Sequence, residues 1–213
     1  TGLVNWQLGL AAIYAEAEDP DWAANLSDAE AELAARYAPI ELNKLPQWIE
    51  RLGDMHPNAV DRTLGNELSW ELSWPSGEHG HSRLVQEMNY APECIVKLFL
   101  PRLKSWLDID GNRINAAENS IAIAEQVREV TQVILKHGDA AEIERLREQT
   151  LQRLEQQLPF ALHVVWLSIL VRIDPQAGVK KLADQIEIVE PSEESAAVTL
   201  LANLFGNHHD EIG

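Results

Sequence analysis

Five groups of residues have the types that chemistry needs. Cys94 is the single cysteine and could act as a nucleophile if a base stood beside it. It follows Glu93 early in an apolar helix, where a helix N-terminus would lower its pKa. Burial as a small hydrophobe is the simpler reading. Glu67 and Glu71 are four apart and could share acid–base work or a metal. No Glu-x-x-His motif accompanies them, so they read as an exposed acidic stripe. His79-x-His81 and His208-His209 offer imidazoles, but a closed metal site takes three or four ligands at fixed spacing, and neither pair has a partner at such spacing. Asp108-x-Asp110-Gly111-Asn112 hints at a calcium loop. Its glycine stands fourth rather than sixth and Glu118 stands eleventh rather than twelfth, so it reads as a turn. There is no nucleophile elbow and no glycine-rich phosphate loop, and Gly178-Val179-Lys180 belongs to a helix. The expectation is no catalytic residue, no cofactor and no metal site within these 213 residues.

The elements that would position such groups are helical almost throughout. Two stretches of the chain write one line twice. The first has Leu45-Pro46-Gln47-Trp48, then Met55-His56-Pro57-Asn58-Ala59-Val60, then Leu64 and Leu68. The second has Leu158-Pro159, Trp166, then Ile173-Asp174-Pro175-Gln176-Ala177, then Leu182 and Ile186. Each copy places eight residues between Trp and Pro, and Ala two beyond the Pro. Proline suits the first turn of a helix, where its missing N–H is not needed. Each copy therefore predicts a helix, a proline-started corner and a second helix. Such pairs bury their apolar faces by stacking, which gives the fold class: all-α, antiparallel helix pairs in a HEAT-like α-solenoid.

Along the chain, a helix is expected over 3–17, broken by Asp19-Pro20-Asp21. A second runs over 21–37 with Trp22, Leu26, Ala29 and Leu33 on one stripe. A third covers 40–52, kinked or restarted at Pro46. A fourth runs from Pro57 to Trp74 with Val60, Leu64, Leu68 and Leu72 spaced four apart. The segment 75–81 is the clearest loop and a possible sub-boundary within a single domain over 1–213. Further helices are expected over 82–89, from Pro92 to Trp106 with Pro101 kinking or dividing it, and over 115–136 with Ile121, Ala124, Val127, Val130, Ile134 and Leu135 inward. His137-Gly138-Asp139 reads as a glycine stop followed by an Asp cap. Residues 140–157 carry Ile143, Leu146, Thr150, Leu151 and Leu154 on one face and Glu/Arg pairs on the other. Helices after Pro159, Pro175 and Pro191 complete about eleven. Ile186–Val189 is the one β-like run, and ends a helix.

Composition narrows the function classes. A hydrophobic share of 46% is that of a folded domain. The formal charge is −17, from 34 acids and 17 bases. Seven acids and no base fall within 16–32 (Glu16, Glu18, Asp19, Asp21, Asp28, Glu30, Glu32), and six acids and no base within 187–213. Such a surface repels phosphate backbones and anionic lipid, so neither nucleic acid nor membrane is the expected partner. One cysteine excludes an internal disulfide and fits a reducing, cytoplasmic setting. The apolar stretch 160–173 is too short to span a bilayer. The chain opens without Met and is apolar at once, which reads as a piece of a longer protein.

Seven tryptophans are many beside three Tyr and three Phe. Trp48, Trp106 and Trp166 fall on apolar stripes as core anchors. Trp70 and Trp74 stand four apart on one side of a helix, and with the 16–32 acids they form the candidate partner-binding set. The run Leu52-Gly53-Asp54-Met55-His56-Pro57-Asn58-Ala59-Val60-Asp61-Arg62-Thr63-Leu64-Gly65 resembles HEAT-like helical repeats in the long C-terminal arms of large bacterial NTPases. Many of these are signal-sensing, STAND- or NACHT-like ATPases of defence systems. Asp174-Pro175 with Ala177 is a weaker copy. The resemblance covers about a third of the chain. It implies a non-catalytic scaffold or sensor segment whose NTPase lies elsewhere, binding a protein partner, basic by charge complementarity. The alternative is an autonomous helical enzyme or metal-binding helical bundle.

Overall fold

The computed structural model describes residues 2–41, 44–73, 83–109 and 120–188, and these are all-helical, with no strand among them. The described residues form ten α-helices: α1 (Gly2–Glu16), α2 (Asp28–Ala35), α3 (Ile49–Met55), α4 (Pro57–Ser73), α5 (Arg83–Met88), α6 (Glu93–Ile109), α7 (Ser120–His137), α8 (Ala140–Leu154), α9 (Phe160–Ile173) and α10 (Pro175–Ile188). Trp74, the 75–81 loop with His79 and His81, the Asp110-Gly111-Asn112 turn, and 189–213 with His208 and His209 lie outside the described residues.

The principal helix packings follow chain order: α2 on α4, α4 on α6, α6 on α7, α7 on α9, with α8 and α10 both against α9. The apolar pattern dictates this. In α4, Val60, Leu64, Leu68 and Leu72 are all buried, as their spacing of four requires. In α6, Ile95, Val96, Phe99, Leu103 and Trp106 form the inward face. Pro101 neither stops nor divides this helix. It stands on the solvent face together with Lys97, whose carbonyl it leaves without the usual helical N–H.

The two proline corners have similar local geometry. His56 ends α3 at φ −130°, ψ 55°, and its N–H donates to Leu52 O at 2.8 Å. Asp174 ends α9 at φ −137°, ψ 84°, and its N–H donates to Leu170 O at 2.7 Å. In both, the next residue is the proline that starts the following helix, and the residue eight before the corner is a buried Trp, Trp48 at 2% and Trp166 at 0% exposed. Both indole Nε1 atoms are buried without a hydrogen-bond partner. The corners are held differently from outside. His56 Nε2 meets Ala23 O at 2.8 Å, whereas Asp174 Oδ1 accepts from Ala177 N–H at 3.0 Å and Oδ2 from Arg147 Nε at 2.9 Å.

Elsewhere the structure departs from the expected boundaries. The 21–37 helix is in two parts: a 3-10 turn at Ala23–Asn25, then α2 from Asp28. Ser27 restarts the helix with a capping box, its Oγ accepting from Glu30 N–H at 3.4 Å while Glu30 Oε2 accepts from Ser27 N–H at 2.8 Å. The restart shifts the phase, so Ala31, Ala34 and Ala35 face the core and Ala29 and Leu33 face solvent. The 40–52 helix forms only from Ile49, after a 3-10 turn at Ala38–Ile40. Ile121, in the first turn of α7, is 73% exposed, while Ala124, Val127, Val130 and Ile134 are buried as expected. The Gly138 stop holds: its N–H donates to Ile134 O at 2.7 Å, and Asp139 caps α8 in a second capping box. Through Ile188 the 186–189 run is helical.

Candidate partner-binding surface

The 16–32 acids surround the turn between α1 and α2, and five of the seven have a partner within the chain. Glu16 Oε2 accepts from Trp22 Nε1 at 3.3 Å, Asp19 Oδ1 from Asp21 N–H at 3.0 Å, and Glu30 serves the Ser27 cap. Asp28 Oδ1 lies 3.3 Å from His56 Nδ1, and Glu32 Oε1 pairs with Arg62 Nη2 at 2.6 Å. Arg51 reaches across from α3 to the α1 end, donating to Ala17 O and, at 2.8 Å, to Asp19 O. These bonds fasten the acidic turn to α3 and α4. The acids therefore have a structural role as well as a surface field, and Glu18 and Asp21 remain exposed at its outer edge.

Trp70 lies on α4 and is 58% exposed. Trp48, Trp106 and Trp166 are buried, as their stripes require, and Trp106 Nε1 donates to Leu72 O at 3.0 Å. Trp22 is buried too, edge-on to Trp48 with ring centroids 5.9 Å apart.

The groups that could do chemistry are placed as follows. Cys94 is half-buried, and burial, then the neighbouring Asp54, pushes its thiol up to about 11. Any lowering by the helix N-terminus is overridden, and the thiol is protonated near neutral pH. Asp108 pairs with Arg145 across the α6–α8 seam. No cluster of three or more His, Cys, Asp or Glu with metal-binding geometry occurs among the described residues.

Glu71 corrects the picture of an exposed acidic stripe. It is half-buried, and both its carboxylate oxygens accept from Leu84 N–H, at 2.9 and 3.1 Å, so it fastens the start of α5 to α4. Burial raises its pKa to about 7, against the Leu84 bond that lowers it, with Glu67 and Glu129 adding repulsion. The folded pKa thus lies above the ordinary 4.5. The group's stabilising contribution is full below the unfolded pKa and is lost as pH rises towards 7. Glu71→Gln is expected to raise stability at pH 8 by on the order of 1 kcal/mol, the shift being discounted for partial exposure. The gain should vanish near pH 5. Denaturant midpoints at the two pH values test this, and equal losses at both would refute it.

One buried cation went unread in the sequence. Arg153, counted among the outward Glu/Arg pairs of α8, is only 6% exposed. Its phase carried the signal, since 146, 150 and 153 share one helix face. The described residues contain no helix long and apolar enough to cross a membrane. The chain matches no protein-family model, and no curated protein or solved structure matches it.

Proposed function

We propose that this chain is a non-catalytic protein-interaction segment, a scaffold or sensor arm built as a HEAT-like stack of helix pairs and belonging to a larger bacterial cytoplasmic protein. The observation that carries the reading is the repeated corner. His56-Pro57 and Asp174-Pro175 share similar backbone geometry, an i→i−4 closing bond and a buried Trp eight residues before. Packing that follows chain order supports it, because in a solenoid each unit rests mainly on its neighbours. The proposed partner is a protein with a basic face rather than nucleic acid or membrane. The acids around the α1–α2 turn would steer it and Trp70, with Trp74, would anchor it.

Small-angle scattering of the purified chain tests the architecture. A compact globule of this length has a radius of gyration of about 17 Å. An arc of stacked pairs gives a larger radius and a skewed distance distribution. A symmetric distribution at the globular value would overturn the stack, and stoichiometric zinc or iron in the purified protein would favour a metal-binding bundle instead.

A further inference from the structure

Arg153 stands where an arginine is hard to keep. The residue is only 6% exposed, yet no carboxylate among the described residues forms an ion pair with it. A guanidinium has five N–H donors. Among the described residues Arg153 makes one long side-chain bond, Nη1 to Gln156 Oε1 at 3.5 Å. Burial depresses its pKa, and the charge of Asp108 only partly opposes this. None of its nitrogens is an enclosed donor without a partner, so the part of the fork that Gln156 does not engage opens onto solvent, where an anion can reach it.

The same residue lines a cleft of about 330 Å³ between the end of α6 and the outer turns of α8. Residues 145, 149, 152, 153 and 156 recur at three- or four-residue steps, so one helix face supplies most of the wall. Two of these groups are already engaged. Arg145 pairs with Asp108, and Gln149 Nε2 donates to Leu107 O at 3.2 Å. That leaves the Arg153 fork with the Gln152 and Gln156 amides beside it.

We propose that this cleft is a carboxylate-binding site, with Arg153 gripping the two oxygens and the glutamine amides flanking them. The guanidinium fork matches a planar carboxylate or a phosphate. Asp108 and Glu148 also line the cleft. Their repulsion bears about twice as hard on a phosphate dianion as on a carboxylate monoanion, which favours the carboxylate. The volume suits a small organic acid or the last residues of a peptide. Both present the same group. The site depends on no part of the solenoid reading.

Titration calorimetry at constant ionic strength tests the site with four probes: propionate, acetyl-trialanine with a free carboxylate, the same peptide amidated, and inorganic phosphate. The free-carboxylate peptide or propionate should bind saturably with Kd of about 1 mM or below, and the amidated peptide at least about tenfold more weakly. A peptide at least about tenfold tighter than propionate identifies a chain terminus as the source, and equal affinities identify a free acid. Arg153→Met should abolish binding while remaining folded, since it keeps an apolar stem to pack where the arginine stem packs. Arg153→Lys keeps the charge but loses the fork, and should weaken binding about tenfold; it carries the test if the Met variant unfolds. No saturation by about 10 mM, affinity unchanged by amidation or in the lysine variant, or tighter phosphate binding would each overturn the proposal.

Discussion

Trp166→Ala is expected to destabilise the chain by about 3–5 kcal/mol, and Trp48→Ala by a similar amount. Both side chains are enclosed, and Trp166 belongs to an apolar helix in which Leu162, Val165, Leu167, Ile169 and Leu170 are buried as well. Truncation removes a large apolar surface and leaves a cavity that two packed helices cannot close. The comparison with Phe separates packing from polarity. Neither indole N–H has a hydrogen-bond partner, so Trp→Phe deletes an unsatisfied donor along with part of the ring. Its cost should therefore be less than half that of Ala at each site. Urea unfolding of the four variants checks this. Equal costs for Phe and Ala would mean that the indole N–H contributes more than its surroundings show.

The second large effect belongs to Gly178. It lies in the first turns of α10, one face against α9. A Cβ added there would sit 2.7 Å from Val171 Cα and 2.8 Å from Val171 N. These are backbone atoms that no rotamer change can move, so α10 must shift away from α9. Gly178→Ala gains up to about 1 kcal/mol in helix propensity, against an overpacking penalty of about 1–3 kcal/mol. A net loss of up to about 2 kcal/mol is expected. Gly53→Ala is the matched control. Its added Cβ meets Ile95 Cδ1, the far end of a flexible side chain, at 2.5 Å. Ile95 can turn aside, so Gly53→Ala should cost less than Gly178→Ala. Thermal melts of the two variants give the order, and the reverse order would show that α9 and α10 separate easily.

What the sequence made legible was local and periodic. The α4 stripe, the Gly138-Asp139 stop and cap, and the proline starts of α4 and α10 all follow from residue type at fixed spacing. The α2 phase was legible too, but only through Ser27-x-x-Glu30, because a capping box resets a helix that the apolar pattern alone would continue. Arg153 and Glu71 were misplaced for a different reason. Residue type argued for solvent, while helix phase put 153 with Leu146 and Thr150, and the neighbouring α5 covered Glu71. Burial of a charged group depends on what other elements bring to it, and periodicity within one helix does not carry that information. The same limit applies to the acidic turn. Its charge was plain in the sequence, but not its attachment through Arg51, His56 and Arg62, which come from residues 28 or more positions away.

The tryptophans have a consequence for how the molecule reports on itself. Trp48 and Trp166 sit in dry, apolar surroundings and should emit at short wavelength, out of reach of dissolved quenchers. Trp70, 58% exposed, and Trp6, 44% exposed, should emit further to the red, where iodide can reach them. The acidic surface repels iodide, so caesium or neutral acrylamide should quench that population more readily. The protein thus carries its own optical label: with Trp6 replaced by Phe, selective excitation and quenching would reveal whether a ligand shields α4, without attaching a dye.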